Sequence, residues 1–307
     1  MALSEDKAIG AVYVVLSVLL LTIYVIILKI IKSPVPLFSS PVFCIMFHMG
    51  IIDCIQLSVH TIGGIFSLAQ STFDPWANKI FGGIVNGTWI GVGPFTLLLA
   101  LNRLVLVCFP AKMGIFFHKR ALLAQLVVCW SFPSMFFIMY MTPLCGVIYN
   151  ITSFGWEYDE SPWSQTVSDV ELYSLSFMLA VSVACYLCIF YKTHILRRTI
   201  KVHMTSVSTR NYVKINGTEA KILIQAVVIT FYTTTFLVGW HVYGLYLPDW
   251  KWAEFFFNLM WIFNCGIYPC LHITLIPVIR RSVWDVIRCR KPNSARVSTV
   301  LRHGAGS

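Results

Sequence analysis

Seven stretches of this chain are each long and apolar enough to cross a lipid bilayer, and that feature leaves few folds open. They cover residues 8–31, 41–68, 80–101, 121–142, 172–191, 222–247 and 253–276. A helix needs about 20 apolar residues to span the hydrocarbon. No water is present there to satisfy a bare backbone, so only helices and closed barrels cross it. A barrel strand spans with about 10 residues that alternate in polarity. These runs are twice as long and continuously apolar, so the expected fold is an all-α bundle of seven transmembrane helices. Composition agrees: 57% of residues are hydrophobic and 12% are charged, against about a quarter charged in soluble domains.

The basic residues give the bundle a direction. Net charge is +10, but the cations recur in short blocks between runs. With the N-terminus outside, 20 of the 23 lysines and arginines fall on the cytoplasmic side, and only Lys7, Lys79 and Lys251 fall outside. Cytoplasmic loops carry this excess. Ten of the 13 acids, Glu171 among them, fall on the other side. MALSEDK has no basic n-region, and the first run ends at Lys29 and Lys32, a signal-anchor pattern. The expected location is a cell-surface membrane, with the C-terminus cytoplasmic and no nucleic-acid partner. Asn150-Ile-Thr lies in the outer loop after the fourth run and is a glycosylation candidate. Asn86-Gly-Thr lies inside the third run, and Asn216-Gly-Thr on the cytoplasmic side.

Signatures of catalysis are missing. No His-Glu-x-x-His, Gly-x-Ser-x-Gly or P-loop occurs. The expectation is no enzyme, no metal and no cofactor. Every lysine lies at or beyond a run's end, so no buried Schiff-base lysine is available. Most of the ten cysteines sit within apolar runs as small core residues. Asp53 reads as the one acid inside a run. A carboxylate at that depth faces a polar cavity or finds a partner. A cation or proton site and a hydrogen-bonded packing residue both fit it. Gly83, Gly87 and Gly91 form a small-residue face that suits close helix packing.

Residues 101–103 (Leu-Asn-Arg), Pro110 seven positions later, Trp130 in the fourth run and Tyr268-Pro269 in the seventh together resemble rhodopsin-like G-protein-coupled receptors. In that family an acid-Arg-Tyr motif ends the third helix and Asn-Pro-x-x-Tyr lies in the seventh. Here Asn102 stands for the acid, and Tyr268 and His272 for the Asn and Tyr. Asp53 matches the family's acid in helix two. The top of the third run has no cysteine, so the family's usual disulfide to the second outer loop is missing. The Leu-Asn-Arg ending, the length and the stretch 45–53 most resemble nematode serpentine chemoreceptors, class T.

The resemblance implies a receptor for an external small molecule, coupled to a heterotrimeric G protein. Switch candidates are Asn102, Arg103, Pro110, Glu219, Tyr268, Pro269 and His272. An ion pair is expected between Arg103 and Glu219, the acid at the base of the sixth helix. By depth, the ligand candidates are Asn86, Trp89, Trp240, His241, Asn258 and Trp261. Residues 1–288 form the receptor domain, including an interfacial amphipathic helix after Ile276, and 289–307 form a short basic tail. Cys289 is a candidate for palmitoylation. A transporter or channel using Asp53, His48 and His60 is the alternative from another class. The oligomeric state stays open.

Overall fold

The computed structural model of the chain describes residues 2–34, 36–202, 217–246 and 251–288. Among the described residues, α1 (Ala2–Ile31), α2 (Pro41–Ala69) and α3 (Pro75–Cys108) come first. They are followed by α4 (Met113–Phe116) and α5 (Lys119–Tyr140). A two-stranded hairpin, β1 (Val147–Asn150) and β2 (Gly155–Tyr158), precedes α6 (Ser164–Val202), α7 (Gly217–Tyr246), α8 (Lys251–Leu275) and α9 (Pro277–Ile287). Seven of these helices, all but α4 and α9, are long and apolar enough to cross a membrane. The protein is a multi-pass membrane protein. Large side chains that a soluble fold would hide face outward: Phe177 is 68% exposed and Phe231 is 74% exposed. Lipid is the solvent that makes this arrangement stable.

The helices run past the apolar stretches that reveal them. α3 has 34 residues, which at 1.5 Å each is about 51 Å, well beyond a hydrocarbon core of about 30 Å. It starts at Asp74, whose carboxylate caps the Ala77 N–H at 2.8 Å, with Pro75 in the first turn. Both features suit a helix start. α6 begins at Ser164, eight residues before its apolar run. Pro162 is the last breaker before it, and nothing polar in the following turns prevents a helix. Glu171 is therefore not in an outer loop, as hydropathy placed it. It lies two turns inside α6 and is 2% exposed. Asp53 is accordingly not the one intramembrane acid.

α3 is the central post, packing against α2, α5, α6 and α7 and lying against β1. Its Gly83, Gly87 and Gly91 face α5. A Cβ on Gly83 would sit 2.6 Å from Met141 Cε, and one on Gly87 would sit 3.3 Å from the Pro133 carbonyl. The small-residue face serves packing within the bundle.

The hairpin pairs Val147 with Tyr158 and Asn150 with Gly155. Asn150 shapes its turn, accepting from the Thr152 N–H at 2.9 Å and hydroxyl at 2.7 Å. Phe154, in the left-handed region at φ 63°, closes the turn. No disulfide ties the hairpin down: Cys145 is a free, buried thiol. Hydrogen bonds seat it instead. Asn78 donates to the Tyr149 carbonyl at 3.1 Å and accepts from its N–H at 2.8 Å. Tyr149 and Ser67 hydroxyls meet at 2.6 Å, and Tyr13 donates to the Phe154 carbonyl at 3.0 Å. At Gly82 a Cβ would fall 1.8 Å from the Val147 carbonyl oxygen, so only glycine lets the hairpin lie this close.

After α8, Ile276 and Pro277 start α9. Val278, Ile279 and Val283 are buried against the bundle, whereas Trp284, Val286 and Ile287 are exposed. That division suits an interfacial helix, with Arg280 and Arg281 beside the apolar face. Cys289 lies outside the described residues.

Candidate functional site

A cavity sits beneath the hairpin, with about 330 Å³ of atom-free space, of which only a narrow part admits a whole water molecule. Asn86 and Trp89 enter it from one face of α3, and Glu171 enters from α6. α7 contributes Phe236, Leu237 and Trp240, and α8 contributes Trp261. The roof is the hairpin, through Val147, Trp156, Glu157 and Tyr158.

The polar side of this cavity centres on Glu171. Its Oε2 accepts from Tyr158 Oη at 2.5 Å and from Asn86 Nδ2 at 2.9 Å, and its Oε1 accepts from Trp89 Nε1 at 3.0 Å. Asn86 also donates to Tyr140 Oη at 2.8 Å, and Tyr140 and Tyr158 hydroxyls meet at 3.0 Å. The opposite side is aromatic. Trp89 packs edge-on against Phe236 with centroids 5.0 Å apart, and against Trp261 at 5.7 Å. Trp240 packs against Trp261 at 5.9 Å. Trp261 is held from below, donating to Gln56 Oε1 of α2 at 2.7 Å.

In the hairpin roof Glu157 accepts from Asn150 Nδ2 at 2.5 Å. Burial pushes its carboxyl above the usual carboxylate range. The Asn150 and Ser153 hydrogen bonds counter part of that shift, and the nearby Glu254 charge adds to it.

Four of the six residues expected at a ligand site by depth, Asn86, Trp89, Trp240 and Trp261, line this one cavity. The other two do not. Asn258, one turn from Trp261, is buried facing Tyr13 of α1. His241, a step around α7 from Trp240, lies toward Asp169 of α6. Depth fixes height along a helix but not the direction a side chain faces. The residues that sequence reasoning passed over are Glu171, Tyr140 and the hairpin's Tyr158 and Trp156. For Glu171 the available signal was Pro162, which lets the helix begin well before the apolar run.

Deeper in the bundle, Asp53 is 2% exposed and accepts from the Tyr24 hydroxyl at 2.6 Å. His48 and His60 point elsewhere. His48 accepts from Trp130 Nε1 at 3.1 Å, while His60 packs on Trp261 with centroids 5.0 Å apart. The three groups do not line one path.

Arg103 lies near the far end of α3, at 1% exposure, with Asn102 equally buried. Around this end of the bundle His272 Nδ1 lies 2.8 Å from Gln225 Nε2 and 2.7 Å from the Tyr268 carbonyl. This contact joins α7 to α8 just past Pro269, which lacks the N–H a helix would use there. Pro110 opens a short 3-10 turn after α3. Lys192 of α6 donates to the Cys108 carbonyl and lies over the Phe109 ring at 5.7 Å. The Glu219 side chain, expected to pair with Arg103, lies outside the described residues.

A family model described as "Serpentine type 7TM GPCR chemoreceptor Srt" matches residues 2–296. Among solved structures the fold is similar to squid rhodopsin. The TM-score is 0.75 at 12% sequence identity, over 97% of this chain and 91% of that one. None of the curated proteins compared with the chain matches it in sequence.

Proposed function

The chain belongs to the serpentine type 7TM GPCR chemoreceptor Srt family, and from that premise we propose that it binds a small external molecule beneath the hairpin and signals through a heterotrimeric G protein. The observation that carries this reading is the cavity. It is walled by α3, α6, α7 and α8, apolar on one side and polar on the other, which is the usual makeup of a small-molecule site. The basic residues orient the hairpin end outside the cell and the Arg103 end inside, at a cell-surface membrane.

Phe236, Trp240 and Trp261 touch both the cavity and each other. A ligand that favours a different packing of these rings shifts α7 against α8. It drives a transition only through better binding to that second state. At the other end of the same two helices stands the Gln225–His272 contact. Separation of α7 there would open a cleft beside Arg103 for a G-protein segment. Asn102, Pro110, Tyr268 and Pro269 belong to the same switch region, and a lipid-modified Cys289 would hold α9 at the membrane.

The test is a G-protein dissociation screen in cells expressing the full chain, against odorant and metabolite panels. Arg103→Ala, at matched surface expression, is the control. The reading requires at least one compound that drives dissociation in the wild type and not in Arg103→Ala. An equal response in that variant removes the switch role of Arg103. Ligand-driven current without G proteins removes the coupling role.

A further inference from the structure

The wall of the cavity beneath the hairpin has a one-sided charge. Glu171 and Glu157 both line it, and among the described residues no lysine, arginine or histidine does. All three partners of Glu171 (Tyr158, Asn86 and Trp89) are neutral donors. An ionised carboxylate offers about four acceptor positions. Two on Oε2 and one on Oε1 are filled, which leaves one on Oε1, on the side shared with Trp89. Most of the rest of the wall is aromatic: Trp89, Trp156, Tyr158, Phe236, Trp240 and Trp261.

We infer that this cavity recognises a small organic cation, a primary amine with an apolar body, whose ammonium donates to Glu171 Oε1 while its body packs among the tryptophans. The inference rests on the reading of this cavity as the ligand site and names the chemistry of what enters it. An ammonium gains twice here. It forms a charge-assisted hydrogen bond with a carboxylate whose three partners are all neutral. It also lies within reach of indole faces, which attract cations at about 6 Å or less. An anion would meet two carboxyls. A neutral ligand would leave the buried carboxylate uncompensated. A calcium ion needs a cage of six or more oxygens, and this wall is mostly aromatic carbon. Only a narrow part of this space admits a water molecule, so a ligand enters only as the surrounding rings and hairpin yield, and a small body demands the least of them. Glu157, another wall carboxyl within electrostatic range of Glu254, adds negative potential that draws a cation inward.

The experiment uses the purified full chain in lipid nanodiscs at neutral pH, with melting followed by tryptophan fluorescence. The probes are 2-phenylethylamine, cyclohexylamine and isoamylamine, each set against the alcohol and the carboxylate of matching body. At least one amine raises the melting temperature at a concentration about tenfold below its alcohol, and the carboxylates do not. Glu171→Gln keeps the side-chain volume and weakens that amine about tenfold or more. Glu157→Gln leaves Glu171 in place and weakens it less. The comparison among probes on the wild type stands even where Glu171→Gln does not fold. Two results overturn the inference: no amine outperforming its alcohol in the wild type, or equal amine binding by wild type and a folded Glu171→Gln. Because melting needs no G protein, the two readings separate. Amine binding without G-protein activation removes the signalling role and keeps the amine site. Activation by neutral or acidic compounds while every amine fails to bind removes the amine site and keeps the receptor.

Discussion

Gly82→Ala tests whether the hairpin is a fixed wall of the cavity. The added Cβ would sit 1.8 Å from the Val147 carbonyl oxygen and 2.5 Å from its carbon, both backbone atoms that no rotamer change can move away. Ordinary contact begins at 3.4 Å, so β1 must withdraw by roughly 1.5 Å. Such a shift takes the Asn78–Tyr149 pair, now at 3.1 and 2.8 Å, beyond hydrogen-bonding range. Overpacking of this kind costs about 1–3 kcal/mol, and the two bonds contribute about 1 kcal/mol each. The expected loss is about 3–5 kcal/mol for the docked hairpin. Val147, Trp156, Glu157 and Tyr158 move with it, so the cavity loses its roof. The assay is limited proteolysis at the 151–154 turn together with thermal melting. Gly114→Ala is the control, because nothing lies within 4 Å of a Cβ there. Faster cleavage and lower melting in Gly82→Ala alone are expected. If both variants match the wild type in cleavage and melting, the hairpin is not seated by this contact and the reasoning fails.

Three other outcomes follow from the same geometry. Tyr24→Phe removes the hydroxyl that donates to Asp53 and costs about 1–3 kcal/mol in melting experiments; Asp53→Asn added to it should recover part of that loss, and a purely additive double variant would show that the two groups are not coupled. Glu157 has a folded-state carboxyl pKa raised above its ordinary value of 4.5, first by burial. The folded form thus holds its proton more tightly than the unfolded chain, and stability falls as pH rises from about 4.5 through the raised value. Glu157→Gln should flatten that slope and raise melting at neutral pH, and an unchanged slope would assign it to other groups. The Asn150 sequon, on the hairpin, should carry a glycan in cells if that end faces outward. Thr152→Ala should then abolish an endoglycosidase-sensitive gel shift, whereas a wild type without the shift would show that the sequon is unused.

Hydropathy specified the number of spans, because lipid imposes the same demand on every crossing segment regardless of its neighbours. The amphipathic α9 was legible for a related reason: its pattern depends on local spacing and the membrane surface. Motif residues such as Arg103, Pro110 and Tyr268-Pro269 could be placed by chain position alone. The cavity could not. Glu171 was assigned to a loop because a window that scores apolarity stops where a helix turns polar. Glu171 sits in a polar turn of α6 and faces Asn86, Trp89 and Tyr158. Asn258 and His241 sit at the depth of a ligand site but face Tyr13 and Asp169. The hairpin was missed altogether. Its four-residue strands pair with each other and are held in place by Asn78, Ser67, Tyr13 and the space left at Gly82, residues distant in sequence. The sequence alone thus determined what every spanning segment owes to the bilayer. Tertiary structure decided which side chains meet, since that depends on helix rotation and on contacts between segments up to 242 residues apart.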